Sequence, residues 1–324
     1  MRTENYNKPE RKNRVAAILG VDYPIIQGPM RLITLGEMAA AVSNCGGFGQ
    51  IAASGLEGER LRAEIKRARE LTDNPVGVNI PIYRPNASEA LDIAIEMGVK
   101  TITTSAGNPK KLIGRIKEAG LKVLHKVASV EMGKKARDAG VDGVIAMGYE
   151  AGGHVGRDNI TTICLVPQLA DCLDIPVVAA GGIADARGVV AAFALGAEGV
   201  EMGTRFLATS ECPAPEFFKE SVCRASCDST VLLGKEAMPI RVLRNSVTSH
   251  VVSMEQPDAD KAIKTAGDAT YAQSGGDENT SVMPCGQIAG LIKSIESVDA
   301  VIWEIIRNVK SISSKIGAIF DGGK

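Results

Sequence analysis

Eight short apolar runs alternate with amphipathic helical segments along the first two thirds of the chain, and this alternation constrains the fold more than any other feature. The apolar runs are Pro24–Gln27, Phe48–Ala52, Val76–Asn79, Thr101–Thr104, Val123–Lys126, Gly143–Met147, Val177–Ala180 and Gly199–Met202. Runs of this length predict buried parallel strands. Between them lie segments with charges on one face, namely Glu59–Leu71, Ala87–Met97, Pro109–Ala119, Val130–Ala139 and Arg187–Leu195, which we interpret as helices.

The alternation fits two architectures of the α/β class. Eight strand–helix units are the count of one (β/α)8 TIM barrel. A doubly wound sheet fits the same alternation, but no G-x-G-x-x-G dinucleotide fingerprint follows the first strand. We therefore predict that residues 15–212 form most of a TIM barrel. Residues 213–324 are predicted to form a smaller helical cap, with a C-terminal helix from about Val298 that packs back on the barrel.

Composition argues against several classes of protein. A net charge of −1 and an aromatic content of 4% favour neither nucleic acid nor an anionic membrane as a partner. Met1–Arg14 has no apolar core of a signal peptide, and no apolar run is long enough to span a bilayer. Seven scattered cysteines do not suggest a disulfide framework, so we expect a reducing cytoplasm. None of the three histidines lies near Cys212, Cys223 and Cys227, and we predict no metal site.

Glycines follow the last two predicted strands directly. Gly181 and Gly182 come after Val177–Ala180, and Gly203 comes after Gly199–Met202. Glycine lets the backbone N–H groups at a strand end approach an anion closely. A single such turn also occurs where a helix packs tightly, but two on consecutive units match the phosphate site after strands seven and eight of a barrel. We predict that Gly181, Gly182, Gly203 and Thr204 bind a phosphate.

The other predicted strand ends carry mostly small, glycine or amide residues. They include Gln27–Met30, Ala53 and Ser54, Asn79, Ser105–Gly107, His125 and Lys126, and Glu150–His154. Such residues leave room for a flat ligand, and they contain no acid–base pair and no Ser/His/Asp set. The chemistry is therefore expected to belong to a bound cofactor. A phosphate site beside room for a planar ring predicts FMN.

His154 is the titratable side chain best placed for catalysis, because it follows two glycines at a predicted strand end. Its imidazole could accept a proton from a carbon acid or, once protonated, donate one. A structural loop histidine is the alternative. His125 or Lys126 could contact the flavin, where a cation would stabilise the reduced anionic ring. For His125, a buried structural role is an equal alternative.

Six segments together resemble the nitronate monooxygenase family, formerly called 2-nitropropane dioxygenase. They are Gln27–Met30, Asn44–Gly49, Gly77–Asn79, Glu150–His154, Ala180–Asp185 and Gly203–Phe206, with a further match at Gly286–Gly290. The family includes FMN-dependent enoyl-acyl-carrier-protein reductases II and NADH:quinone reductases. The resemblance implies an FMN-binding barrel with a smaller helical substrate domain and His154 as the active-site histidine. It implies cofactor contacts from Gly28, Pro29, Met30, Asn79, Lys126, Gly153, Gly181, Gly182, Gly203, Thr204 and Gln287.

The motifs divide between branches, so three reactions stay open. The first is oxidation of alkyl nitronates with O2 to a carbonyl compound and nitrite. The alternatives are NAD(P)H-dependent reduction of an enoyl thioester and NAD(P)H-dependent reduction of quinones. A barrel that only binds its ligand is disfavoured, because the glycines and His154 are present. A small molecule or an acyl thioester is the expected substrate, and the resemblance suggests a homodimer.

Overall fold

The barrel wall consists of eight parallel strands in a computed structural model that describes residues 13–234, 238–255, 258, 261 and 276–320. The wall strands are β1 (Ile25–Gln27), β2 (Gly49–Ala52), β3 (Val76–Pro81), β4 (Thr101–Ser105), β5 (Lys122–Val127), β6 (Gly143–Met147), β8 (Val177–Ala180) and β9 (Gly199–Met202), while β7 (Gly153–His154) lies outside the wall. Their spatial order is β1-β9-β8-β6-β5-β4-β3-β2. A parallel bridge between Ile26 and Phe48 joins the two ends of this order. The predicted TIM barrel and all eight of its predicted strands are confirmed.

Helices alternate with these strands as the charge pattern predicts. In chain order they are α1 (Arg14–Leu19), α2 (Gly36–Asn44), α3 (Glu59–Leu71), α4 (Ala87–Glu96), α5 (Ile113–Glu118), α6 (Val130–Ala139), α7 (Thr162–Cys172), α8 (Ala186–Ala194), α9 (Thr204–Leu207), α10 (Glu216–Arg224) and α11 (Ser246–Val252), followed by the C-terminal helix (Val298–Phe320). Two short 3-10 helices cover Pro109–Lys111 and Gln287–Leu291. Local sequence fixes the helix ends, as α6 shows. Ser129 accepts a hydrogen bond from the Met132 N–H at its start, and Gly140 ends it at φ +93°.

Helix α1 covers the amino end of the barrel. Its Val15 and Leu19 pack in one buried cluster with Ile26, Phe48 and Leu124 of the wall strands. This packing fills the half of the barrel next to α1, here called the lower half, with apolar side chains. The polar chemistry is consequently confined to the opposite end, where the strands terminate and the functional loops of TIM barrels lie.

The region after residue 212 contains helices and also a small antiparallel sheet that the sequence analysis did not predict. Strands β10 (Thr230–Leu233) and β11 (Ile240–Leu243) pair with each other, and β11 pairs with β7. The C-terminal helix packs on α2 and α8, with Val298, Ile302 and Ile305 buried. Residues 268–275 of the glycine-rich stretch lie outside the described residues. No helix in the described part of the chain has the length and hydropathy to cross a bilayer.

Candidate active site

The two predicted glycine turns lie at the carboxyl ends of β8 and β9. Gly181 and Gly182 have φ angles of +97° and +73°, a region that side-chain-bearing residues rarely adopt. The N–H groups of Gly182, Gly203 and Thr204 donate to no other residue in the described part of the chain. A Cβ added to Gly203 would meet no atom of the described residues within 4 Å. The turns therefore present unpaired donors to open space, which is the arrangement that an anion requires.

A carboxylate and a hydroxyl hold the first of these turns in place. Both carboxylate oxygens of Glu150 accept from the Thr162 N–H, at 3.0 and 3.1 Å. The Thr162 hydroxyl donates to the carbonyl oxygens of Ala180 and Gly181, at 3.2 and 2.9 Å. The loop after β6 and the start of α7 thus fix the backbone of the Gly181 turn. Glu150 opens the Glu150–His154 motif, but nothing in the sequence of that motif indicates this contact with Thr162.

The segment around Gln287 returns to the barrel mouth from the far end of the chain. The Gly286 N–H donates to Thr204 Oγ1 at 3.0 Å, and the Gln287 N–H donates to the Glu150 carbonyl at 3.0 Å. A Cβ on Gly152 would lie 2.6 Å from the Gly286 nitrogen, so this close approach requires glycine. Gln287 begins a 3-10 helix and is exposed. The structure therefore joins this segment to the predicted phosphate loops.

The loop after β1 meets the loop after β9. The Gly28 N–H donates to the Met202 carbonyl at 2.8 Å, and a Cβ on Gly28 would lie 3.3 Å from the Gly203 Cα. Pro29 follows half-buried, and Met30 begins a turn in which its N–H donates to Thr34 Oγ1 at 3.0 Å. Gly28 is thus adjacent to the glycine turns, and the next two residues continue along the same rim.

His154 stands on β7, paired in register with Ile240 of β11. His154 is exposed, and Gly153 before it has φ +73° with no atom of the described residues within 4 Å of an added Cβ. Partial desolvation and the positive charge of Arg84 lower the pKa of His154 below its ordinary value of 6.5. The imidazole is therefore neutral at pH 7, a form that can accept a proton.

Arg241 supports the loop that leads to β7. Its guanidinium donates from Nε and Nη2 to the Tyr149 carbonyl, at 3.2 and 3.0 Å, and lies 4.7 Å from the centre of the Tyr149 ring. The side chain is buried, and Nη1 donates to Thr230 Oγ1 at 3.2 Å. The unpredicted small sheet thus positions His154 through its own strands and through Arg241.

A buried polar network crosses the barrel interior beneath the mouth. Lys126 forms an ion pair with Glu201, and the Gln50 amide lies 3.5 Å from the other carboxylate oxygen of Glu201. The Thr103 hydroxyl donates to Gln50, and Asn79 Nδ2 donates to the Thr103 hydroxyl at 2.9 Å. The network connects the predicted residues Lys126 and Asn79. Gln50, Thr103 and Glu201 were not among the predicted site residues; their one sequence signal is a polar side chain within an apolar strand.

His125 lies on the other face of β5 from Lys126, since successive side chains of a strand point to opposite faces. It is buried, and its Nδ1 lies 2.8 Å from the Thr104 hydroxyl. Burial lowers the pKa of His125 to about 4. These contacts favour the structural alternative for His125 over a role at the mouth.

The described residues contain no group of three or more His, Cys, Asp or Glu side chains that could hold a metal ion. Cys212 is buried, and burial raises the pKa of its thiol to about 11. It therefore packs as an apolar side chain.

The protein-family model described as nitronate monooxygenase matches residues 12–308 of this chain. The chain belongs to the nitronate monooxygenase family. A probable nitronate monooxygenase from Staphylococcus saprophyticus is 33% identical over 352 aligned residues, which cover 94% of this chain and 98% of that protein. The (3aS,4S,5R,7aS)-5-hydroxy-7a-methyl-1-oxo-octahydro-1H-indene-4-carboxyl-CoA dehydrogenase of Rhodococcus jostii is 36% identical over 239 residues, which cover 74% of this chain and 67% of the relative.

Two solved structures of this family resemble the whole fold. FabK from Thermotoga maritima superposes with a TM-score of 0.91 at 38% identity, covering 96% of this chain and 100% of FabK. Nitroalkane oxidase from Streptomyces ansochromogenes superposes with a TM-score of 0.78 at 26% identity, covering 94% and 99% of the two chains. The family and these neighbours are oxidoreductases. The resemblance inferred from the motifs is confirmed.

Proposed function

We propose that this chain binds FMN at the carboxyl end of its barrel and oxidises alkyl nitronates with O2. The observation that carries the cofactor proposal is the pair of glycine turns. Within the described part of the chain, the N–H groups of Gly182, Gly203 and Thr204 have no acceptor, and no atom lies beside Gly203. A dianionic phosphate fits this set of donors, because charge-assisted hydrogen bonds to backbone N–H groups are strong.

The residues present fit the rest of FMN as well. Lys126 and Asn79, which belong to the buried network, would contact the ring from below, and Gly28–Met30 would lie along its rim. Gly153 and Gln287 would approach it from the small sheet and the returning segment. When bound, FMN supplies the electron acceptor for the oxidation and passes the electrons to O2. The protein's own task is to bind, orient and manage protons around it.

His154 supports a substrate that is a carbon acid or its anion. Its neutral imidazole can accept the proton that a nitroalkane loses when it becomes a nitronate. The positive charge of Arg84, which acts on the same ring, favours an anion in the cleft. A nitronate is such an anion, it is small, and its oxidation requires no nicotinamide. The products are the carbonyl compound and nitrite.

A thioester substrate is the second candidate, and two comparisons favour it. The Rhodococcus jostii relative is named for a carboxyl-CoA substrate. FabK is an enoyl-acyl-carrier-protein reductase II, and this chain superposes on it with a higher TM-score than on nitroalkane oxidase. In this reaction NAD(P)H would supply the electrons for reduction of an enoyl thioester. His154 would then need to carry the proton that it donates. Its lowered pKa disfavours that form at pH 7, and for this reason we place nitronate oxidation first.

Anaerobic reduction of the bound flavin separates the candidates. Purified protein is mixed without oxygen with an alkyl nitronate, NADH or NADPH in separate experiments, and the flavin absorbance near 450 nm is followed. We expect rapid bleaching with the nitronate and slow or no bleaching with the pyridine nucleotides. Rapid bleaching with NADH or NADPH alone would contradict the proposal, and turnover of a crotonyl thioester or of a quinone would then identify the substrate class.

A further inference from the structure

The ion pair between Lys126 and Glu201 lies inside the barrel and not on its surface. The two side chains are 14% and 5% exposed. Glu201 stands in β9 and Lys126 in β5, on strands that lie on opposite sides of β8 and β6 in the wall. The pair therefore spans the barrel interior directly below the proposed flavin site.

Stability alone does not account for a buried pair of this kind. Removing both charges from water costs free energy that their attraction often fails to repay, and apolar side chains of similar volume are frequently as stable. The lower half of this barrel is indeed filled with apolar side chains such as Leu124 and Ile145. We therefore explain the Lys126–Glu201 pair, at the loop end of the barrel, by the flavin that it would face.

The Gln50 amide is a second polar group beside the Glu201 carboxylate. The Gln50 amide donates to the Gln27 carbonyl at 2.9 Å and lies 3.5 Å from Glu201 Oε2. The Gln50 carbonyl accepts from the Thr103 hydroxyl. These bonds orient the Gln50 amide towards Glu201, so the carboxylate lies between that amide and the Lys126 ammonium with which it pairs.

We propose that Glu201 is a positioning residue that holds Lys126 at the flavin and offsets part of its positive charge. The inference rests on the proposed FMN site. A cation beside the flavin stabilises the anionic reduced ring, and a neighbouring carboxylate opposes that effect. Glu201 would thereby keep the bound flavin less oxidising than Lys126 alone would make it.

Sulfite affinity tests this role without any substrate. Sulfite adds to oxidised flavin and leaves the ring anionic, so its dissociation constant reports the same electrostatic balance. Glu201→Gln keeps the shape of the side chain and removes its charge. We expect sulfite to bind the FMN-loaded variant about tenfold more tightly, which corresponds to a midpoint potential higher by about 30 mV for a two-electron couple. Photometric titration and spectroelectrochemistry measure the two quantities.

Two further variants distinguish positioning from a general charge effect. Glu198→Gln makes the same charge change at the start of β9, where Glu198 pairs with Arg14 at the amino end of the barrel, and it should leave sulfite affinity unchanged. In a Lys126→Gln background, Glu201→Gln should produce no further tightening, because the ammonium on which Glu201 acts is gone. An undiminished effect in that background would overturn the inference.

Glu201→Asp gives a second test if the glutamine variant does not fold. Its shorter side chain draws the carboxylate back from Lys126, so sulfite affinity should rise by less than tenfold. Variants that bind FMN but keep the wild-type sulfite affinity would refute the role of Glu201 and leave the proposed function intact. A wild-type protein that binds no FMN would refute the proposed function itself, and the inference with it.

Discussion

Substitution of Gly203 by alanine should weaken FMN binding with little effect on the stability of the apoprotein. Gly203 has φ −98° and ψ −67°, which alanine adopts without strain, and the added methyl group would meet no atom within 4 Å in the part of the chain that the structure describes. The free energy of unfolding of the apoprotein should therefore change by less than about 0.5 kcal/mol. The methyl group would instead occupy the space in which the FMN phosphate is proposed to lie.

The size of the effect follows from the hydrogen bonds that the phosphate would lose. A hydrogen bond to a charged group contributes about 1.5–3 kcal/mol. Loss of one such bond weakens binding by roughly 10- to 150-fold, since 1.4 kcal/mol is a factor of ten. At an FMN concentration 100 times the wild-type Kd, bound FMN adds about 2.7 kcal/mol to the stability of the wild type. A variant that binds 100-fold more weakly would gain only about 0.4 kcal/mol under the same conditions.

Quenching of FMN fluorescence on titration with apoprotein gives the Kd, and thermal unfolding with and without FMN gives the stability. Gly114→Ala is the matched control, because a Cβ there also meets no atom within 4 Å but Gly114 lies on α5, away from the glycine turns. It should bind FMN as the wild type does. An unchanged FMN affinity in Gly203→Ala would refute the phosphate assignment, whereas a large loss of apoprotein stability would refute the reasoning from open space.

Four further predictions concern the histidines and Arg84. His154→Ala should retain FMN in its absorbance spectrum while turnover of a nitroalkane, whose proton His154 would accept, falls by roughly 10²-fold or more; unchanged turnover of the nitroalkane would remove His154 from the mechanism. Because the pKa of His154 is lowered, the neutral form predominates at pH 7, and kcat/KM should fall only as pH drops below 6.5. Arg84→Gln removes one cause of that lowering, so the acid limb of the profile should move to higher pH; an unmoved limb would contradict the electrostatic assignment. The pKa of His125 is lowered to about 4, so the folded state disfavours its protonation, and the stability of the apoprotein should decrease by roughly 3 kcal/mol as pH falls from 6.5 to 4. Urea unfolding across this range should show a smaller decrease for His125→Gln.

The barrel could be predicted because its signal is local and repeated. Each wall strand is a short apolar run, and β6, β8 and β9 have the predicted bounds. Glycines at the ends of such runs mark the functional loops in a barrel, so Gly181, Gly182 and Gly203 could be selected as candidates from their position alone, and their binding of a phosphate stays a prediction. The matches to the family depend on these same segments.

The small sheet and the buried network could not be predicted in this way, because their contacts join residues far apart in sequence. Strand β7 has two residues and pairs with β11 almost ninety positions later, so it has no periodicity of its own. Glu201 is a single acid within an apolar strand, and its partner Lys126 lies 75 residues earlier. Functional residues were predicted at strand ends, and both Glu201 and Gln50 lie inside strands. The domain division at residue 212, the homodimer and the cytoplasmic location stay predictions.

The central claim is that backbone N–H groups at the ends of β8 and β9 bind the phosphate of FMN. Comparison of FMN with riboflavin, which has the same ring and lacks the phosphate, tests it most directly. Isothermal titration of wild-type apoprotein should give a Kd for FMN at least 100-fold below that for riboflavin, the value expected for loss of two or more charge-assisted hydrogen bonds. Equal affinities for the two ligands would contradict the account.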